Sequence, residues 1–300
     1  MSNVVESVRD RLGAMVFARV AGEEGPDRRD RIHRAEGLRR FGAEDPIQIV
    51  HRDASMFIGG IRALLLQSLH PLAMAAVDQH SGFRGDPWGR LQRTSTFLAE
   101  TTFGTEEMAK RAVDIVHAVH KRVVGTAPDG TPYAANDPHL LLWVHIVEVD
   151  SFLTAFENYG SRPLTPQERD TYVAQTAHVA RALGAEDPPV TTAELADCLA
   201  RFRPELQGTA AARRTARFIL VHPPVPWALR PGYTLLSAAA VGLLPRWSRM
   251  PLRVPYLPIS EATAVRGAGT AITATIRWIM QPPKLAETRQ ESSLRESRYE

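Results

Sequence analysis

The segment 140–152, LLLWVHIVEVDSF, constrains the rest of the chain more than any other. Within the longer run 138–159 its apolar residues recur at three- and four-residue spacing, which predicts a helix. Almost no polar side is left, so this helix must be wrapped by others rather than lie on a surface. It nevertheless carries His145, Glu148, Asp150 and Ser151. A carboxylate or imidazole buried without a partner costs free energy. These groups therefore face partner side chains or a ligand.

The same helical spacing runs through 3–20, 59–79, 106–124, 165–183, 191–202, 208–221, 233–244 and 261–279. Thr165-Pro166-Gln167-Glu168 spells a capping box with proline at the first helical position. Asp137-Pro138 and Thr105-Glu106-Glu107 open two more helices, and Gly125 suits a C-terminal cap. No alternating strand is evident, and Asp129-Gly130 reads as a turn. The expected fold is all-α: a single multi-helix domain over 36–282. An N-terminal helix and polar linker (1–35) would precede it and a disordered charged tail (283–300) would follow. Residues 21–32 read as loop. Residues 222–232 and 245–258, rich in proline and aromatics, read as extended connectors.

Composition narrows the function. A chain of 300 residues with 44% hydrophobic content can bury a large core. Net charge is only +3, and no basic stripe with interleaved aromatics occurs, which argues against nucleic acid. One cysteine, Cys198, excludes an internal disulfide and a CxxC zinc site, and suits a reducing cytoplasm. The N-terminus makes a poor signal peptide, so a cytoplasmic location is expected. No run of eighteen apolar residues predicts a transmembrane segment. The stretch 233–245, YTLLSAAAVGLLP, suits a buried helix, with peripheral membrane contact as a minor alternative.

Four stretches carry candidate chemistry. LLLQSLHPLAMAAVDQHSGF (64–83) holds His70 before Pro71, where a kink exposes carbonyls that His70 could satisfy, and His80 at a helix end. In DPWGRLQRTSTF (86–97), Arg90, Arg93, Thr94 and Phe97 share a helix face, either a solvated basic face or a site for an anion or polarised oxygen. In DIVHAVHKRVVG (114–125), His117 and His120 are one turn apart, and a lone imidazole on an apolar helix is a usual haem ligand. The fourth is His145 with Glu148. A di-iron bundle would need two Glu-x-x-His elements, and the reversed order here is a poor match. Every one of these histidines also has a local structural reading.

In chain order, LLLQSLHPLAMAAVDQHSGF, DPWGRLQRT, VHKRVVG, PDGTPYAANDPHLLLWVH and PLTPQERDTY resemble the family of the fungal MpaB oxygenase and the latex-clearing rubber oxygenases. The resemblance covers roughly 45–255. It implies a globin-like helical core around haem b, with a helix histidine as proximal iron ligand. That ligand best matches His120, with His117 as competitor. The family's arginine–threonine pair matches Arg90 and Thr94. The lysine between them is replaced by Arg93, and no glutamate lies between Gly59 and Arg90, where the rubber enzymes have one. His70, His80 and His145 are further cofactor-pocket candidates. The implied activity is a haem-dependent oxygenase or oxidoreductase using dioxygen on an apolar, terpenoid- or lipid-like substrate. Alternatives are a non-catalytic haem or small-molecule binder, a purely structural helical protein, and a non-haem iron protein using His117, His120, His145 and Glu148.

Overall fold

A computed structural model describes residues 24–80 and 86–280, with residues 9, 11, 13–15 and 22 before them. The helix expected over 3–20 is described only in part, and the charged tail 283–300 lies outside the described residues.

The chain is helical nearly throughout. In order it forms α1 (Gly25–Arg34), α2 (Pro46–His51), α3 (Met56–Gln67), α4 (Pro71–His80), α5 (Pro87–Phe103) and α6 (Glu106–His120). After a short hairpin come α7 (Pro138–Tyr159), α8 (Pro166–Leu183), α9 (Thr192–Phe202), α10 (Ala210–Val221), α11 (Arg230–Gly242), α12 (Arg246–Leu252) and α13 (Arg266–Met280). The all-α expectation holds.

Local chemistry explains most boundaries. The Thr165 capping box is complete, Thr105 accepts from the Met108 N–H, and Asp137 accepts from the N–H groups of His139 and Leu140. Gly184 ends α8 in the left-handed region, at φ 96°.

Four sequence expectations are corrected. Residues 25–34 are helix rather than loop, because Pro26 starts α1, Ile32 buries, and Arg28 ties the helix to Thr96 of α5. Residues 246–252 are helix rather than extended connector. Arg249 drives this: its buried guanidinium bonds Leu244 O, Val241 O, Gly242 O and Pro255 O, and pairs with Glu261 at 2.6 Å. Helix α11 starts at Arg230, shortening the connector before it. Gly125 is not a cap. It lies in β1 (Val124–Thr126), paired antiparallel with β2 (Pro132–Ala134). Its missing side chain leaves room for Tyr133 across the ladder, whose hydroxyl donates to Gln79 at 2.7 Å.

Helix α7 is the core, packed along α3 and flanked by α8 and α9. Trp143, Ile146, Val147 and Phe156 are essentially inaccessible. It is long and apolar enough to cross a membrane, but much of it is buried within this body, as for a core helix. Arg62 of α3 is buried and anchors the pair, bonding Ser151 Oγ (2.7 Å), Asp150 (2.8 Å) and the Leu243 carbonyl (3.0 Å). Asp53 receives both Nε and Nη2 of Arg277 at 2.9 Å, tying α13 to the start of α3.

The close approach of α3 to α7 depends on Gly59. A Cβ there would lie 2.8 Å from the Phe152 ring and 3.1 Å from both its Cα and the Ser151 carbonyl oxygen, whereas one at Gly60 would meet nothing. Gly59→Ala is expected to destabilise the protein by about 1–3 kcal/mol in urea unfolding through overpacking. Gly60→Ala should be stabilising by up to ~1 kcal/mol from helix propensity. Equal effects at the two positions would contradict this packing account.

Candidate functional site

Proline 71 and the backbone before it bend α3 and α4 by 105°. The bend opens a cavity of about 280 Å³ between α3–α4, α5, α7 and α8. Each helix contributes a stripe at helical spacing: Arg90, Phe97, Leu98 and Thr101 from α5; Leu141, Val144, His145, Glu148 and Phe152 from α7; Tyr172, Thr176, Val179 and Leu183 from α8. His120, the last residue of α6, closes one side. The wall is predominantly apolar, with few polar groups, as in small-molecule sites.

Burial disfavours the charged forms of the titratable groups on this wall. Burial pushes Glu148 up to about 7. Burial and the charge of Arg181 push His145 down to about 4, and burial with neighbouring His117 lowers His120. His145 and Glu148 keep some accessible surface, but they line the cavity and are otherwise enclosed by protein. His145 Nε2 is buried without a hydrogen-bond partner among the described residues. A buried unsatisfied nitrogen costs about 1–3 kcal/mol, and this one lies on the cavity wall. Arg90 is enclosed as well, and burial followed by the charge of Arg93 lowers its pKa.

A hydrogen-bonded chain, absent from the sequence reading, runs along the wall. His51 Nδ1 shares a hydrogen bond with Thr102 Oγ1 (2.8 Å), and its Nε2 with the Tyr172 hydroxyl (3.2 Å). Burial drives His51 down to about 3, and burial plus the nearby Glu148 raises Tyr172 well above the usual phenol range. His51 sits at the end of the six-residue α2, too short to show periodicity.

Of the sequence candidates, Arg90, Phe97, His120 and His145, with Glu148, meet at this cavity. The others do not. Thr94 is exposed, and its hydroxyl donates back to the Arg90 carbonyl at 3.1 Å. Arg93 is drawn 3.5 Å from the exposed helix-capping carboxylate of Asp86. His117 Nε2 donates to the Ala182 carbonyl at 2.8 Å, joining α6 to α8. His80 is exposed, its ring edge-on to Tyr133, and the adjoining residues 81–85 lie outside the described residues. His70 does not satisfy the bend. Trp143 Nε1 donates to Gln67 O and the Gln207 N–H to Leu69 O, while His70 faces Glu205.

Because Glu148 is raised above its unfolded value, the folded state holds its proton over a wider range. Its contribution to stability falls as pH rises from about 4.5 through 7. His51 and His145 are lowered, so they act oppositely: their contribution is present above pH 6.5 and is lost as pH falls through 4 to 3. Comparing wild type with Glu148→Gln isolates the first effect. The variant should gain roughly 3 kcal/mol relative to wild type between pH 4.5 and 8 in denaturant titrations. A pH-independent difference would mean that Glu148 is not desolvated.

Residues 48–278 match the family model described as the catalytic domain of the ER-bound oxygenases mpaB/B′ and rubber oxygenase. No curated protein and no solved structure matches the chain.

Proposed function

Since the chain belongs to this family of oxygenase-related catalytic domains, we propose that it is a haem-b-dependent oxygenase that acts with dioxygen on an apolar, terpenoid- or lipid-like small molecule. The observation that carries the cofactor is the unpartnered Nε2 of His145, buried on the wall of an apolar cavity that His120 also lines. Imidazole binds iron in its neutral form, the form burial favours in both residues. His120 is the iron ligand in this reading, and His145 presents a second nitrogen to the bound group. His117 is spoken for by the Ala182 carbonyl.

Haem would supply the dioxygen and electron chemistry that no side chain provides. The protein's residues supply the surroundings. Arg90 offers a fixed positive charge at the wall, suited to a cofactor carboxylate or to charge developing on oxygen. Glu148, ionising near neutral pH, can hold or release a proton inside the cavity. The aliphatic and aromatic stripes exclude water and receive an apolar substrate.

Non-haem iron is the second reading, because two imidazoles and a carboxylate, His120, His145 and Glu148, share the cavity. A bare ion needs ligand atoms that converge. Among the described residues, close convergence within 4.8 Å is found for a different group, His70, His139 and Glu205. Nitrogens facing a wider space suit a planar macrocycle better.

Protein purified from haem-supplemented cells should show a Soret band and near-stoichiometric haem b by pyridine haemochrome. His120→Ala should lose the haem and His117→Ala should keep it. Haem-loaded protein should consume oxygen with isoprenoid or unsaturated lipid substrates, and Glu148→Gln should alter the pH profile of that uptake near pH 7. A colourless wild type with haem available would sink the haem reading. Haem binding without uptake on any apolar substrate would leave a carrier or sensor.

A further inference from the structure

A second group of chemistry-bearing side chains lies outside the cavity. His70 sits at the bend between α3 and α4, His139 in the first turn of α7, and Glu205 ends the 3₁₀ turn Arg203–Glu205 that follows α9. One ligand atom from each lies within 4.8 Å of the other two. His139 Nε2 is 3.0 and 2.8 Å from the two Glu205 carboxylate oxygens, and His70 Nε2 is 3.3 Å from the nearer of these, Oε2. Both imidazoles thus aim the same ring nitrogen at one oxygen.

Contacts other than the charged atoms hold this arrangement. The Gln207 N–H donates to the Leu69 carbonyl at 2.8 Å, fastening the segment after the turn to the bend. The Phe202 ring stacks on His139, with centroids 4.3 Å apart and planes at 23°, and meets His70 at 6.3 Å. Trp143 flanks His70 at 6.1 Å. The His70 side chain is 4% exposed, His139 53% and Glu205 41%, so one ligand is fixed in the body and two reach solvent. The nearby Arg203 is stacked over Trp247, 5.2 Å from its ring centroid.

We propose that His70 Nε2, His139 Nε2 and the Glu205 carboxylate form a binding site for a divalent first-row metal ion, zinc by its donor set, with water completing the coordination. Two imidazoles and one carboxylate are borderline donors of the kind zinc takes, at about 2.0–2.2 Å. Tetrahedral bonds of that length separate ligand atoms by about 3.4 Å. The nitrogen–oxygen separations of 2.8 and 3.3 Å need to open by about 0.6 and 0.1 Å to reach that value, which the half-exposed Glu205 can supply, and the two imidazoles already lie within 4.8 Å of each other. An ion between the three groups satisfies both nitrogens and the carboxylate together.

The ion would join three segments distant in the chain: the α3–α4 bend, the start of α7 and the turn after α9. Gln67, Ser68 and Ala73, on either side of that bend, line the cavity. The site is therefore a staple that holds one cavity wall, independent of the proposed haem chemistry.

The test is equilibrium dialysis of chelator-treated, full-length protein against zinc chloride, followed by metal analysis. Wild type should retain one zinc per chain. His139→Ala and Glu205→Ala, both at half-exposed positions, should each weaken binding by about 100-fold, while His120→Ala should leave it unchanged. Zinc should raise the thermal midpoint of wild type and of His120→Ala but not of the other two variants. A wild type that retains no zinc overturns the proposal, as does zinc lost in His120→Ala but kept in His139→Ala and Glu205→Ala.

Discussion

Helix α7 can be enclosed on every side only because α3 lies nearly against its backbone, and α3 comes that close at Gly59, where any Cβ would meet Phe152 and the Ser151 carbonyl. From this approach follow the pairing of Arg62 with Asp150 and Ser151, the burial of Trp143 and Phe156, and the direction in which α3 runs into its bend. The adjoining stripe of α7, Phe152 included, is thereby turned to the cavity. The helix that makes the core also presents His145 and Glu148 to the site.

The fold treats its buried polar groups in two ways. Arg62 and Arg249 are surrounded by carbonyl oxygens and carboxylates, and their hydrogen bonds offset the cost of burial. On the cavity wall the hydrogen-bonded Thr102, His51 and Tyr172 sit beside groups that lack such partners. Among the described residues His145 Nε2 has no hydrogen-bond partner, and burial raises Glu148 to near neutrality. Groups left uncompensated in an apolar enclosure are a mark of function.

Where helix formation is local, the sequence could be read directly. The caps at Thr105, Asp137 and Thr165 act within one turn, and the long amphipathic stripes repeat often enough to be recognised. Helices α1 and α12 are not legible in residue order because each depends on a distant contact: Arg28 reaching Thr96, and Arg249 gathering carbonyls from the preceding helix and the loop beyond. The role of Gly125 is hidden from local patterning for the same reason. Its use is to admit Tyr133 across a ladder, which a pattern of single residues does not reveal.

The sequence by itself determined that the chain is helical, that 138–159 is its centre, and that Arg90, His120, His145 and Glu148 are polar groups on helices with apolar faces. Periodicity and the cost of burial act within a few turns and are written in residue order. Tertiary structure alone decided which of these groups share a space. It turned Thr94 back to the Arg90 carbonyl, drew Arg93 to Asp86 and His117 to Ala182, and directed His70 away from the cavity toward His139 and Glu205. It also brought in His51 and Tyr172, which lie 121 residues apart. Those outcomes follow from how helices cross and where a bend points, and both are set by contacts between segments far apart in the chain.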